Sequence, residues 1–410
     1  VGSKAVADLS YRITKAGLAG ASEEELLRDF CQGAIAADIG LSRATLVVDT
    51  LHPVHEGRVF HWKDHEPDAI TMREYGRTNR GGDAQESWER SPFFHMMERG
   101  ESLMRLGMDH PDYLDLEIVR NLKAEGHVEW MILLHRFNER GTIGELDCLF
   151  SAFCTRKPEG FSEDEVATLK RLAPVLGLAI KAVSLGRIAE TLVETYLGRD
   201  PGRRVLKGRI ERGVADRIEA ALWFSDLRSY TRITGAAPPE QIIPLLNDYA
   251  DAIISSIEDA GGDVLKLIGD GTLAIFTGES LAEACRCAIR AETLVRERIG
   301  ELNARRSASE LPVTEAYLGL HVGEVFYGNI GSDSRLDFTV VGPAVNEAAR
   351  IAAMCRSADR DVLASAAFAA AVAPEERGCL VSVGRYALRG IERPQELFTL
   401  MPEEGPGLTA

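Results

Sequence analysis

Cysteine is scarce in this chain, with 7 among 410 residues, scattered and odd in number. That pattern argues against a disulfide framework and fits reduced thiols in a reducing compartment. Basic excess is missing too. Lys and Arg number 47 against 63 Asp and Glu, a balance of −16, so the chain lacks the electrostatic footprint for duplex nucleic acid or an anionic lipid surface, though a local basic pocket is compatible with it. No apolar run approaches the ~18 residues of a membrane span, and no basic segment followed by a short apolar core opens the chain. These absences predict a cytoplasmic protein with no membrane span and no nucleic-acid partner. Internal repeats and long low-complexity tracts are also missing. The opening Val-Gly-Ser has no initiator Met and is set aside. What the chain does have is a 45% hydrophobic fraction over 410 residues, ample core for two or three domains.

Residues from about 5 to 160 mix helix and strand signals. Ser22 and Glu25 stand in capping-box spacing before residues with helical apolar periodicity, and "RATLVVDTL", "GRVFHW", "WMILLHRF" and "ELDCLFSAFC" read as strands. Residues 64 to 92 are polar and turn-rich and predict a long loop. Ser162 and Glu165 open a second helix, which Pro174 is expected to kink. Its stripe of Leu169, Leu172, Leu176, Ala179 and Val183 continues with shifted phase through Leu185, Ile188, Leu192 and Tyr196, the pattern of either a helix packed on its own domain or a parallel dimer helix. The Gly-rich, charged segment "GRDPGRRVLKGRIERGVADR" marks a boundary. Beyond it strands at "EAALWFSD", "TEAYLGLHVG", "VFYGNIG" and "LDFTVVG" alternate with helices at "PPEQIIPLLNDYADAIISSIEDAGG", "LAEACRCAIRAETLVRERI" and "PAVNEAARIAAMC", as in an α/β or α+β sheet covered by helices.

The run "KLIGDGTLAIF" reads as a β-hairpin with Asp270 at its tip. "ALWFSD" ends a strand on a second carboxylate, Asp226. Two carboxylates at neighbouring strand ends can share a divalent metal, because Mg²⁺ takes one or two carboxylates plus substrate phosphate oxygens. After Asp226 the backbone N–H groups of residues 227 to 231 are placed to cradle phosphates. Lys266 interrupts an otherwise apolar strand, where a lysine ordinarily snorkels to solvent.

Together "FSDLRSYT", "KLIGDGTLAIF", "GLHVGEVFYGNIG" and "FTVVGPAVNEAAR", in that order, resemble the signature blocks of the class III nucleotidyl cyclase catalytic domain. The resemblance covers roughly Ala221 to Met401 and implies a ferredoxin-like βαββαβ core working as a homodimer. It implies that Asp226 and Asp270, with the Leu227 carbonyl, hold two Mg²⁺ or Mn²⁺ ions per site. Asn346 would orient the ribose, and Arg350, one helical turn on, would stabilise charge on the reacting phosphate. Arg389 stands where a triphosphate-binding lysine is frequent, Arg360 is a further phosphate ligand, and Ser229, Tyr230 and Thr231 form the phosphate loop. Lys266 matches the adenine-reading lysine, and Thr339 replaces an aspartate as acceptor for the 6-amino group, which a hydroxyl oxygen can do. ATP is therefore favoured over GTP. Ser229 stands in place of a common Gly and Pro343 in place of a frequent Asp, and neither removes a group the chemistry needs. "AGGDVL" superficially matches a diguanylate cyclase loop, but Val264 and Leu265 follow Asp263 where that loop needs Glu and Phe.

The N-terminal half resembles a GAF-type sensor by pattern rather than motif. The expected layout is a GAF-like antiparallel sheet with helices over residues 1–184, a helical linker over 185–215 and the cyclase domain over 216–402. The N-terminal domain would take a small-molecule ligand. His52, His55, His61 and His65 invite a metal or haem reading, but no Cys or carboxylate completes a ligand set, and Cys31, Cys148 and Cys154 are expected in the core. The function expected is conversion of ATP to 3′,5′-cyclic AMP and pyrophosphate under N-terminal control. The alternatives are a guanylate cyclase and a non-enzymatic nucleotide-binding regulator.

Overall fold

The computed structural model describes residues 2–77, 83–137, 143–144, 146–391 and 393–401. Its Cα framework divides into two units, Val1–Leu192 and Val193–Ala410.

The first unit opens with helices α1 (Ser3–Leu18) and α2 (Glu23–Ala36), continues through β1 (Arg43–Asp49), β2 (Gly57–Lys63), β3 (Ile70–Tyr75), α3 (Asp83–Glu89), α4 (Pro92–Arg99), β4 (Leu103–Gly107), α5 (Glu117–Ala124), β5 (Glu129–Arg136) and β6 (Cys148–Thr155), and reaches the long α6 (Glu163–Leu197). Six strands form one antiparallel sheet in the order β3-β2-β1-β6-β5-β4. Every residue of β6 is buried, because helices cover both faces of the sheet. Leu26, Phe30, Trp62, Leu169 and Leu176 pack on one face, and Met96, Val119, Trp130 and Phe150 on the other. Both capping boxes form, the second with the Ser162 amide donating to Glu165 Oε2 at 2.9 Å. Buried Glu23 at the start of α2 accepts from Arg187 at 2.9 Å and Ser184 at 3.3 Å, fastening α6 to α2.

Several expectations change here. The stretch 64–92 is no simple loop: it contains β3 and α3, while residues 78–82 lie outside those described. Strand β3 escaped notice because it is an edge strand with no buried residue, so its sequence lacks alternation. Helix α6 runs unbroken through Pro174 for 35 residues. It is also long and apolar enough to cross a membrane by length and composition, although less than half of that stretch is buried in the fold. Its Ala, Gly and Leu content achieves this without any long charge-free run. Cys31, Cys148 and Cys154 are buried. His52 stacks on His55, His55 pairs with Glu74 at 2.9 Å, and His61 turns inward to Thr45. Among the described residues the four histidines join no metal-ligating cluster; the group that does approach one is Asp49, Asp147 and Cys148.

The second unit follows with α7 (Arg199–Leu206), β7 (Ala215–Leu227), α8 (Tyr230–Ala236), α9 (Pro239–Asp259), β8 (Asp263–Ile268), β9 (Gly271–Phe276), α10 (Leu281–Ala308), β10 (Ala316–Ser332), β11 (Arg335–Val341), α11 (Pro343–Ala358), β12 (Val362–Ser365), α12 (Ala366–Ala371), β13 (Leu380–Tyr386) and β14 (Gln395–Leu400). The sheet order is β13-β14-β12-β10-β7-β9-β8, with β11 hairpinned onto β10. Its centre, β10-β7-β9-β8, built in the chain order β7-α9-β8-β9-α10-β10, is the ferredoxin-like βαββαβ core. Helices α9 and α10 cover one face through Trp223, Tyr249, Ile257 and Phe276. Helix α11 covers the other, over Leu222, Val325 and Tyr327.

Two segments read as separate strands are one, the 17-residue β10. Its glycines make room rather than turns. A Cβ on Gly319 would lie 2.4 Å from the Ala348 carbonyl and the Ala352 amide, and one on Gly323 would lie 2.6 Å from Ala344 Cβ. The alanines at 344, 348 and 352 form a stripe at helical spacing, so small residues on both elements let α11 lie close against the strand.

Candidate active site

Asp226 lies one residue from the end of β7, and Asp270 sits in the turn between β8 and β9. Ile268 faces Gly271 across that hairpin, so Gly269 and Asp270 alone make the turn, and Gly269 takes a φ of +65° that costs a glycine nothing. Strand β9 pairs with β7 as far as Ser225 opposite Thr272. One step further, the two aspartate side chains come close enough to act on each other. Gly271 permits this approach, since a Cβ there would stand 2.7 Å from the Ser225 carbonyl and 3.5 Å from Asp226 Oδ1. Loss of water at the strand end, then the neighbouring Asp270 carboxylate, push the Asp226 carboxyl up to about 6, against the opposing pull of the Leu227 amide. Two carboxylates in contact resist double ionisation. A divalent cation held by these side chains would relieve that penalty, and a hard oxygen donor pair open to solvent fits Mg²⁺ or Mn²⁺.

The chain after Asp226 bends at Ser229, whose φ of 57° places it in the left-handed region. A glycine adopts that geometry more cheaply, which is a physical reason for the glycine common at this point. Tyr230 then begins the short α8, with Thr231 exposed beside it.

Asn346 and Arg350 stand on the same side of α11, displaced from the alanine stripe that packs on β10. Among the described residues neither side chain has a hydrogen-bonding partner, which leaves amide and guanidinium available. Arg350 lies beside the turn that carries Arg389: a Cβ on Gly390, φ +74°, would come within 3.3 Å of its guanidinium. Arg360 is placed elsewhere. It lines a cavity of about 570 Å³ bounded by Trp223, Ser225 and Glu292, on the α10 face of β7, and strand alternation puts Asp226 on the other face.

Lys266 on β8 is tied to β11 by an ion pair with Asp337. Asp337 precedes Thr339 by two residues on the same strand, and Thr339 is itself buried in register with Gly328 of β10. Sequence reasoning passed over Asp337; a lone lysine within an apolar strand signals that some carboxylate must answer it. His321 was passed over as well. It is buried mid-strand in β10, its Nδ1 2.8 Å from Ser365 Oγ and its Nε2 3.8 Å from Glu347, the neighbour of Asn346 on α11. Burial lowers the His321 pKa to about 4, so its neutral form dominates, and burial raises that of Glu347 against the opposing charge of Arg350.

Residues 215–401 match the family model for the adenylate and guanylate cyclase catalytic domain. This part of the chain is a class III cyclase catalytic domain. An adenylate cyclase of Anabaena cylindrica is 34% identical over 158 residues, covering 38% of this chain and 31% of its own length. Adenylate cyclase 1 of Rhizobium meliloti is 31% identical over 192 residues, covering 44% and 28%. The chain thus spans about a third of the length of these relatives. Among solved structures, an adenylyl cyclase from P. aeruginosa is 23% identical and aligns over 47% of this chain and 97% of its own, with a TM-score of 0.43. In the cyclase domain the paired aspartates come from the end of β7 and the β8–β9 turn, the lysine from β8, and the amide and guanidinium from helix α11, which packs on the same sheet.

Proposed function

We propose that the chain is an adenylate cyclase that converts ATP to 3′,5′-cyclic AMP and pyrophosphate at sites shared between two copies of the chain. The observation that carries this reading is the contact of Asp226 with Asp270, a carboxylate pair whose own repulsion is relieved by divalent metal. These two side chains, with the Leu227 carbonyl, would hold two Mg²⁺ or Mn²⁺ ions. Bound there, the ions supply a lowered pKa for the ribose 3′-hydroxyl and charge neutralisation along the triphosphate. Asn346 orients the ribose, and Arg350, with Arg389 at its side, balances charge gathering on the reacting phosphate. The turn at Ser229, Tyr230 and Thr231 offers backbone N–H groups to the phosphates. Lys266 donates to adenine N1 and Thr339 accepts from the 6-amino group. Arg360 has no part in this reading, because it faces the α10 cavity. The N-terminal unit acts as a GAF-like regulator, α6 continues from it as a dimer helix, and the enzyme works in the cytoplasm.

The test is product formation by the purified chain with Mn²⁺, scored separately for cyclic AMP from ATP and cyclic GMP from GTP. Asp226→Asn and Asp270→Asn should each keep the parent's circular dichroism yet lose at least about a hundredfold in kcat, since an amide holds divalent metal poorly. Near-parent turnover in either variant rejects the metal assignment, and faster turnover of GTP than ATP makes the chain a guanylate cyclase instead.

A further inference from the structure

The N-terminal unit contains a cavity of about 750 Å³ whose walls include Arg43 and Lys63 from β1 and β2, Phe93 from α4, Leu116 and Ile118 at the start of α5, and Glu125 at its end. That volume suits a small organic molecule. Arg43 and Lys63 are directly opposite each other in the β1–β2 ladder, and like charges so placed destabilise a sheet unless an anion lies between them. Glu125 is that anion, with Oε2 at 3.0 Å from Arg43 and Oε1 at 3.1 Å from Lys63. These two cations hold its carboxyl down at about 2 against the opposing effect of burial, so it stays charged. One anion nevertheless answers two cations.

The surroundings leave that surplus standing. His127 also approaches Glu125, at 3.3 Å, but burial lowers its pKa and favours the neutral ring. Arg156 is matched by Asp64 at 2.7 Å. Glu117 lies on the rim and is exposed to solvent, where its charge is screened. Among the described residues the Arg43 and Lys63 side chains each donate one hydrogen bond, both to Glu125, and the rest of their N–H groups remain for a ligand. The opposite wall is apolar and firm: Phe93 packs edge-on against Trp130 at 5.7 Å and Phe150 at 5.0 Å.

We propose that this cavity binds a small amphipathic anion, a carboxylate on a compact aromatic or aliphatic body. The carboxylate takes the spare N–H groups of Arg43 and Lys63, and the body lies against Phe93, Leu116 and Ile118. The site stands independently of the cyclase chemistry, because binding alone reports it. Titration calorimetry on the full chain with salicylate, benzamidine and inorganic phosphate as probes tests it. Salicylate should bind with a Kd at or below about 1 mM, and Lys63→Met and Phe93→Ala should each weaken it about tenfold or more. Benzamidine, cationic on the same ring, and phosphate, anionic without a body, should give no binding heat. Should Phe93→Ala fail to fold, Ile118→Ser probes the same wall. Absence of salicylate binding, a Kd unmoved by both the charge and the wall variants, preference for benzamidine, or phosphate binding as tightly as salicylate would each overturn the proposal.

Discussion

Lys266 and His321 show how much a single side chain's neighbour decides. An ammonium on a half-exposed strand is free to wander unless something holds it, and Asp337 holds Lys266 toward β11 and Thr339. In the proposed reading Lys266 faces the purine, so Lys266→Glu reverses the charge there and kcat/KM for ATP relative to GTP should fall at least about tenfold. Asp337→Asn should shift the same ratio less, through a raised KM for ATP. A ratio unchanged by Lys266→Glu shows that the lysine does not read the base. His321 carries a pH signature instead. Its folded pKa near 4 lies below the ordinary 6.5, so as pH falls the unfolded chain takes up the proton first. The stabilisation is therefore complete above about pH 6.5 and drains away as pH drops toward 4. Between pH 6.5 and 5 one such group accounts for about 2 kcal/mol. His321→Gln should accordingly show a smaller decline in melting temperature from pH 7.5 to 5 than the parent; parallel declines would mean that the histidine titrates as it does in water.

At the scale of elements, the close seating of α11 on β10 matters most, because that helix carries Asn346 and Arg350. Gly323 and Ala344 are the tightest side-chain meeting point, with only 2.6 Å left for an added Cβ. Gly323→Ala should destabilise the fold by about 1–3 kcal/mol and lower kcat beyond what the loss of folded protein explains, by tilting the helix. Adding Ala344→Gly vacates the space, so the double variant should recover activity despite a helix penalty of about 1 kcal/mol. If the double variant is no better than Gly323→Ala alone, the contact is not what positions the helix. Helix α7 is anchored comparably. Asp200 receives the Tyr327 hydroxyl at 2.8 Å and Arg204 at 2.6 Å, and Arg204 also reaches Asp216 at 3.0 Å. Part of the segment that reads as a boundary is thereby packed onto the cyclase sheet.

For the whole molecule, the question is which copy supplies which group. A site shared between two chains takes Asp226 and Asp270 from one and Lys266, Asn346 and Arg350 from the other. Asp226→Ala and Lys266→Ala homodimers should then each be nearly inactive, while coexpression rebuilds one intact site in every mixed dimer. Random pairing makes about half the dimers mixed, each with one working site of two, so recovery should approach about a quarter of parental activity. Activity no higher than either variant alone, with mixed dimers verified by two different tags, places all the groups within one chain.

Much of this was readable from local chemistry. The Gly-Asp-Gly turn, the strand ending on Asp226, the capping boxes at Ser22 and Ser162 and the helical spacing of Asn346 and Arg350 depend on residues close together in the chain, and such interactions leave their mark on the amino-acid order. Edge strand β3 left none, because nothing buries it, and β10 looked divided because Gly323 reads as a break when its partner, Ala344, is unseen. The ion pair of Lys266 with Asp337, the burial that makes His321 neutral, the seating of Arg360 on the α10 face and the single carboxylate shared by Arg43 and Lys63 join groups far apart in sequence. Only the tertiary structure decided these, because desolvation and charge pairing depend on which atoms exclude water from a given point in space, and sheet order rather than chain order sets those neighbours.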